Sequence, residues 1–339
     1  MALRWIESFD WATPDRRYNA IHSSTTPGRF GGYAWAVNWN GGPDFLITPN
    51  LGNQATWTCG AAMRLNDPYN TTSASWSFNQ ANGWPMFGLL DQGTLQLHLH
   101  TDQNGKLILS QGGIVLGTGG LFLPYRWTYV EMCTTFGSTG SAVVTQDGVT
   151  VISVVFDNML SGNAYASQLQ LGQPSWNQVG YALDDVYLCD GTGLAPFNGF
   201  LGEIRIDTAR PIGAGAHTGF TPSAGNNWQN VSDQWPDNDS TYNSSPTPGV
   251  LDTYAIGSLT TSAAPLAIGV NWLARKDSFG GHTLTAVIRQ AGTDYLVGSA
   301  HRVGSTYDCQ SELVPQQPSM GAWTVAAINA AQFGLEITT

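Results

Sequence analysis

Apolar and polar residues alternate over short stretches in the N-terminal part of the chain, most clearly over 94–101, Thr-Leu-Gln-Leu-His-Leu-His-Thr. The pair Asn104-Gly105 separates this stretch from a second apolar run at 106–109. Asn-Gly between two such runs is a strong hairpin signal, because both central residues of a type I′ turn need a positive φ. The pattern therefore predicts a β-hairpin here.

A second hairpin is predicted on the same grounds, with 141–146 and 149–154 as strands and Asp147-Gly148 as the turn. Further strands are predicted at 3–9, 57–65, 84–90 and 126–132. Short strands at this spacing, with no helical period between them, indicate an antiparallel β-sandwich.

The character of the sequence changes after Arg210, where a polar, loop-like stretch begins. Strand-like runs resume later, and one short helix is predicted over 323–331 with Thr324 as its N-cap. We therefore expect an all-β protein with at most one short helix. Its predicted parts are a sandwich over 1–210, a polar loop-rich connection over 211–250 and a smaller C-terminal β domain over 251–339.

Charged residues make up only 11% of the 339 positions, against about 25% in ordinary soluble domains. A surface with so little charge must be covered by uncharged polar groups or be buried against other subunits, which favours a homo-oligomer. The net charge is −11 and no cluster of Lys and Arg occurs. Nucleic acid and anionic membranes are therefore poor partners, because binding to them depends on positive charge.

Targeting signals are not found in the N-terminal residues, where Glu7 and Asp10 interrupt any apolar run, so we do not expect a signal peptide. No stretch of about 20 apolar residues predicts a membrane span. The four cysteines lie far apart, which favours free thiols over a disulfide framework or a zinc site. We expect synthesis in a reducing cytoplasm.

The strand at 94–101 also carries the candidate site. If its leucines face the core, the polar residues between them lie on the opposite, wetter face. We interpret these polar residues as a row that faces a glycan: Gln96, His98 and His100. Aromatic residues of the long irregular region 11–55 are a second candidate for stacking on sugar rings, but we favour a role as anchors at subunit contacts.

The spacing His98-X-His100-X-Asp102 is similar to a motif of metallo-β-lactamase-like hydrolases. However, Gln103 stands where that motif has another histidine, and the next histidine is His217. The stretch 103–105 also lacks the glutamate that a cupin metal site needs. We therefore predict neither a metal site nor any cofactor.

Two groups of carboxylates are also candidates for chemistry. Glu203-X-Arg205-X-Asp207 differs from the Glu-X-Asp-X-Glu of jelly-roll glycoside hydrolases by its central arginine, which predicts an ion-paired row. In Asp184-Asp185, neighbouring strand residues point to opposite faces, so hydrogen bonding to loops is favoured over calcium binding. No catalytic residue is predicted, and we expect the protein not to be an enzyme.

Three segments in this order resemble the concanavalin-A-like or laminin-G-like jelly roll. They are the strand 127–131, the Asp147-Gly148 hairpin, and the strand 184–187 that leads to 200–203. The resemblance implies a jelly-roll sandwich for the N-terminal domain.

The order of motifs over most of the chain is similar to that of virion structural proteins of tailed bacteriophages. The motifs are Asp-Asp-Val-Tyr at 184–187, Phe-Leu-Gly-Glu-Ile-Arg-Ile at 200–206, the loop 236–242 and the Trp-Thr to Gln-Phe-Gly segment at 323–334. The resemblance implies a non-enzymatic structural component of the tail, tail tip, fibre or head surface. It also implies other virion proteins as partners, in a particle assembled in the cytoplasm of the bacterial host.

Two other functions are kept as hypotheses. One is a glycan-binding, lectin-like receptor-binding module that contacts a host-surface glycan through the row on 94–101. The other is a polysaccharide-degrading enzyme, which is disfavoured because no pair of carboxylates has catalytic spacing without an intervening group.

Overall fold

The computed structural model describes residues 3–11, 25–37, 44–65, 85–102, 104–123, 125–173, 181–319 and 321–339. The chain divides into two compact units, 1–206 and 207–339. Both units consist of antiparallel β-sheets, which confirms the predicted all-β class. The first unit is a jelly-roll-like sandwich of two sheets.

The first unit contains fourteen strands. They are β1 (Leu3–Glu7), β2 (Thr25–Pro27), β3 (Tyr33–Val37), β4 (Asp44–Ile47), β5 (Thr56–Leu65), β6 (Pro85–Asp91), β7 (Thr94–Thr101), β8 (Lys106–Gln111), β9 (Ile114–Leu121), β10 (Trp127–Thr135), β11 (Gly140–Gln146), β12 (Val149–Phe156), β13 (Gln168–Gln173) and β14 (Tyr181–Asp190).

One sheet of the sandwich has eight strands in the order β12-β11-β10-β5-β14-β3-β2, with β1 also paired to β14. The other has six strands in the order β4-β13-β6-β7-β8-β9. The core lies between them, because alternate side chains of both sheets point inward. Trp57 and Val130 of the eight-stranded sheet share this core with Leu97 and Leu109 of the six-stranded sheet.

Both predicted hairpins are present. Strands β7 and β8 pair with Leu99 opposite Leu109. Strands β11 and β12 are joined by Asp147 and Gly148, whose φ values are 47° and 78°. These positive angles are those that a type I′ turn requires.

The second unit contains nine strands and one α-helix. They are β15 (Pro211–Thr218), β16 (Thr221–Pro222), β17 (Asn243–Ser244), β18 (Leu251–Ile256), β19 (Ile268–Ala274), β20 (Thr283–Gln290), β21 (Thr293–Arg302), β22 (Asp308–Val314), α1 (Val325–Ala330) and β23 (Gln332–Ile337). A five-stranded sheet in the order β15-β18-β23-β20-β21 is accompanied by the pairs β16-β17 and β19-β22. Its core contains Trp272, Ile288, Trp323 and Phe333.

The short helix α1 has the predicted cap, since the side chain of Thr324 accepts a hydrogen bond from the amide of Ala327 at 3.1 Å. A 3-10 helix at Asn227–Val231 lies in the stretch predicted as a polar connection. That stretch belongs to the second unit and also contains β15 to β17. It is held by the buried Asp252, which accepts hydrogen bonds from Asn227 and from the Tyr254 hydroxyl, both at 2.7 Å.

All four cysteines carry free thiols. In the part of the chain that the structure describes, no helix has the length and apolarity needed to cross a membrane.

Candidate functional site

The predicted row on β7 does not lie on an open surface. Gln96 is completely buried, and its amide group is bound by the loop 161–165. Its Nε2 donates to the carbonyls of Asn163 at 2.9 Å and Tyr165 at 2.8 Å, and its Oε1 accepts from the amide of Ser161 at 2.9 Å. Since its polar atoms are fully used, Gln96 anchors a loop.

The two histidines of the row stack on each other, with ring centroids 4.8 Å apart. His100 is 8% exposed and its Nε2 lies 3.2 Å from the Ser110 hydroxyl. The Nε2 of His98 is buried without a hydrogen-bond partner among the described residues. Burial, and then the neighbouring His100, lowers the pKa of His98 to about 3, and burial also lowers the pKa of His100. The structure thus brings the row together as a largely buried, neutral pair, and its contact with a glycan stays a prediction.

Asp102, the third residue of the histidine motif, has a local structural role. Its Oδ1 accepts from the amides of Asn104 and Lys106, both at 2.8 Å, and so closes the β7–β8 turn. No group of three His, Cys, Asp or Glu residues with the geometry of a metal site occurs among the residues described.

Strand β14 carries a bulge at the acidic pair Asp184-Asp185, where the register with β5 shifts and Asp185 has a φ of 51°. Both side chains are therefore buried on the outer side of the strand, 5% and 2% exposed, although neighbouring residues of a regular strand would alternate. Asp184 accepts from the amides of Arg29 and Asp185, each at 2.8 Å. Burial, and then the charge of Asp185, raises the pKa of Asp184 to about 8.

A buried glutamate anchors the segment that follows β14. Oε1 of Glu131 accepts from the Tyr187 hydroxyl at 2.5 Å and from the amide of Gly202 at 2.9 Å. Asp185 Oδ1 accepts from the amide of Ile206 at 2.8 Å. The segment 200–206 is therefore not the strand of a closing hairpin, as its sequence suggests, because side chains of the sheet bind its amides in place of a strand ladder.

The predicted ion-paired row Glu203-X-Arg205-X-Asp207 is not formed as a strand face. Glu203 instead pairs with Arg29, which also donates to the carbonyl of Ile204 at 3.3 Å. The guanidinium of Arg29 thus connects the loop after β2 to the segment 200–206.

The tyrosine hydroxyls on this face are hydrogen-bonded and neutral. The Tyr129 hydroxyl donates to the carbonyl of Asp185 at 3.0 Å, and that of Tyr187 to Glu131. Burial raises the pKa of both hydroxyls well above the usual value, and the nearby carboxylates add to the effect. Neither is suited to act as a general base near neutral pH, because a base must lose its proton there.

Next to these residues lies an exposed phenyl ring between two guanidinium groups. Phe30 is 49% exposed, with Arg29 4.7 Å and Arg205 4.9 Å from its ring centroid. Arg29 also lies 5.3 Å from the ring centroid of Tyr129, and so joins Phe30 to the sheet.

A second arginine–aromatic pair lies on the same side of the eight-stranded sheet. Arg64 of β5 is directly opposite Trp127 of β10, and its guanidinium carbon lies 5.0 Å from the Trp127 ring centroid. Side chains of directly opposite residues share a face, as do those two positions apart on one strand, so Trp127 points to the same side as Tyr129. Arg64 also donates to the Thr26 hydroxyl at 3.4 Å. We call the surface formed by Arg29, Phe30, Arg64, Trp127 and Arg205 the arginine–aromatic face.

The sequence does not point to this face, because its members come from four separate segments and only the pairing of β5 with β10 brings two of them together. The single sequence signal is the aromatic-rich region 11–55. Within it, Trp35 is completely buried in the core, whereas the exposed ring is Phe30. Trp39 lies outside the described residues.

A scan against protein-family models finds no match to this chain, and a search of curated proteins finds none either. Solved structures do match, at low similarity. An alginate lyase is 11% identical with a TM-score of 0.33, over 54% of this chain and 86% of its own. A glucuronan lyase from the fungus Trichoderma reesei is 11% identical with a TM-score of 0.35, over 56% of this chain and 91% of its own. The binding domain of botulinum neurotoxin DC, in complex with SialylT, is 11% identical with a TM-score of 0.35, over 49% of this chain and 40% of its own.

The prediction of a non-enzymatic structural component of a tailed phage particle is wrong against these matches, which are two polysaccharide lyases and a SialylT-bound domain. The motifs behind that prediction are short and describe strand and turn chemistry that β-sandwiches share, so they indicate the fold and not the function. The motif resemblance, the virion location and the homo-oligomer are not tested by these matches and stay predictions.

Proposed function

We propose that the first unit binds an acidic glycan on the arginine–aromatic face. The observation that carries this proposal is the half-exposed ring of Phe30 held between two guanidinium groups. Such a ring offers an apolar platform and cationic donors at one place, and both are needed to bind a sugar that carries a carboxylate.

The aromatic part of the face suits the ring of a sugar. One face of a pyranose is covered with C–H groups, which pack on an aromatic ring and bury apolar surface. Phe30 needs no rearrangement to accept such a ring, because Arg29 holds it in place and Arg29 is itself fixed by Glu203 and the carbonyl of Ile204. A platform that is already rigid loses little entropy on binding.

The arginines supply recognition of charge. Guanidinium groups donate two parallel hydrogen bonds to a carboxylate, and they are less strongly hydrated than ammonium groups. Arg205 is exposed and Arg64 is half-buried, so both reach solvent at the edge of the aromatic rings. A chain with net charge −11 that places arginines on two exposed or half-exposed rings presents a local positive surface for an anionic ligand.

Binding is favoured over cleavage by the state of the acid–base groups beside this face. The hydroxyls of Tyr129 and Tyr187 already donate hydrogen bonds to protein acceptors. Glu131 and Asp185 hold backbone amides of the segment 200–206. These groups stabilise the fold and are committed before any substrate arrives.

The proposal is tested by measuring the affinity of the full chain for an oligouronate by calorimetry. Phe30→Ala is expected to weaken binding about tenfold through loss of the stacking surface. Arg64→Gln is expected to weaken it by a similar factor and to reduce its dependence on salt, because one charge-assisted contact is removed.

Two matched variants serve as controls. Phe279→Ala removes a fully exposed phenyl ring from the second unit, and Lys106→Gln removes an exposed positive charge from the first. Both should bind as the wild type does. Equal affinity of Phe30→Ala and wild type would reject the proposal, and cleavage of the oligouronate by the wild type would show that binding is not its whole function.

A further inference from the structure

A small pocket lies in the second unit, where the β19–β22 pair packs on the end of β21. It encloses about 190 Å³ of space that is open to solvent. Its lining consists of Trp272, Ala274, His301, Arg302, Val303, Asp308 and Gln310. The position of these groups follows from strand pairing, since Trp272 is opposite Gln310 and Ala274 is opposite Asp308.

The walls of the pocket are held by a buried contact behind it. Nε2 of His301 lies 3.0 Å from Oε2 of Glu312, and the edge of its ring packs on Trp272 with centroids 5.2 Å apart. Glu312 fits there only because residue 298 is a glycine. A Cβ at Gly298 would lie 1.8 Å from the Glu312 carboxyl carbon, and its φ of 72° also favours glycine. The pocket is therefore pre-formed.

The polar groups at the mouth differ in how far they are used. Asp308 accepts a hydrogen bond from the side-chain amide of Gln310. Arg302 is exposed, and the structure gives it no hydrogen bond or ion pair within the described ranges. An arginine without a partner at the mouth of a pre-formed pocket is a ready donor for a carboxylate.

We propose that this pocket binds a single sugar acid. Arg302 pairs with its carboxylate, Asp308 and Gln310 bind its hydroxyls, and the apolar face of its ring lies against Trp272 and Val303. The space is smaller than the 300–1,000 Å³ or so of typical organic-ligand sites, which fits one ring and not a polymer. This inference does not depend on the glycan-binding face of the first unit, because no residue is shared.

The test uses the ¹⁵N-labelled full chain and D-glucuronate as the probe, with D-glucose as its neutral counterpart. Glucuronate is expected to shift the side-chain resonances of Gln310 and Arg302. Glucose should bind about tenfold more weakly, since the charged hydrogen bonds to Arg302 are absent. Arg302→Gln should lose the glucuronate-dependent shift of the Gln310 amide, whereas Lys106→Gln, which removes one positive charge elsewhere, should keep it.

Because the readout is local to the second unit, it is independent of binding at Phe30, and Phe30→Ala should leave it unchanged. The proposal is overturned if glucuronate leaves both resonances unmoved, if glucose binds as tightly, or if Arg302→Gln responds to glucuronate as the wild type does. Arg302 is exposed, so its substitution is not expected to unfold the protein, and the backbone spectrum of the variant checks this.

Discussion

At the scale of single residues, His98 is predicted to make the protein sensitive to acid. Its pKa is about 3 in the folded protein and about 6.5 when unfolded. Between these values the unfolded state binds the extra proton, so the free energy of unfolding falls as the pH drops below about 6.5, by up to about 1.4 kcal/mol per pH unit. His98→Gln should flatten this dependence in urea titrations between about pH 7 and pH 4.

His282→Gln serves as the control for that experiment, because its ring lies at the surface of the second unit. It should retain the slope of the wild type. A slope that is the same in His98→Gln and wild type would show that His98 is already accessible to solvent and protons in the folded protein.

The same residue shows how far sequence reasoning extends at this scale. The alternation over 94–101 correctly places Leu97 and Leu99 in the core and Gln96 and His98 on the opposite side. It cannot show that the loop 161–165 covers Gln96, because that contact joins residues more than sixty positions apart. A polar face of a strand is wet only if nothing else in the fold packs on it.

At the scale of elements, the segment 201–206 is predicted to depend on Glu131. Glu131→Gln replaces one acceptor oxygen by an amide donor and removes the charge, so the amide of Gly202 and the Tyr187 hydroxyl lose a charge-assisted acceptor. We expect a loss of about 1–3 kcal/mol in the free energy of unfolding. We also expect much faster hydrogen exchange at the Gly202 amide, measured by NMR.

The amide of Val144, which lies in the β11–β12 ladder, is the internal control and should exchange at a nearly unchanged rate relative to global stability. If Gly202 is as protected in Glu131→Gln as in the wild type, the segment is held by other contacts and the proposed anchor is wrong.

Elements with a strong local code are the ones that the sequence predicts well. The turns at Asn104-Gly105 and Asp147-Gly148 and the Thr324 cap need only neighbouring residues. The strand predicted at 200–206 is wrong because its alternating pattern resembles that of a strand, while its amides are bound by Glu131, Asp185 and Tyr187. The bulge at Asp185 is also absent from the local pattern, since it depends on the pairing of β14 with β5.

At the scale of the whole molecule, each unit is predicted to fold alone, because each has its own core of buried side chains. Separately expressed chains 1–206 and 207–339 should both give dispersed NMR spectra and cooperative thermal unfolding. A fragment with the spectrum of an unfolded chain would show that its core is incomplete without the other unit.

Function at this scale was the weakest part of the sequence-based account. Low charge and short motifs favoured a virion component, yet they describe the surface chemistry and turns of β-sandwiches in general. The arginine–aromatic face is invisible in the sequence, because Phe30, Arg64, Trp127 and Arg205 are brought together only by the fold.

The most direct test of the glycan-binding proposal is a crystal structure of the protein with a bound oligouronate. We predict saccharide density against the ring of Phe30, with a carboxylate within hydrogen-bond distance of Arg205 or Arg64. Density on the outer side of β7 beside His98 and His100, or no density at the arginine–aromatic face at saturating ligand, would contradict the proposal.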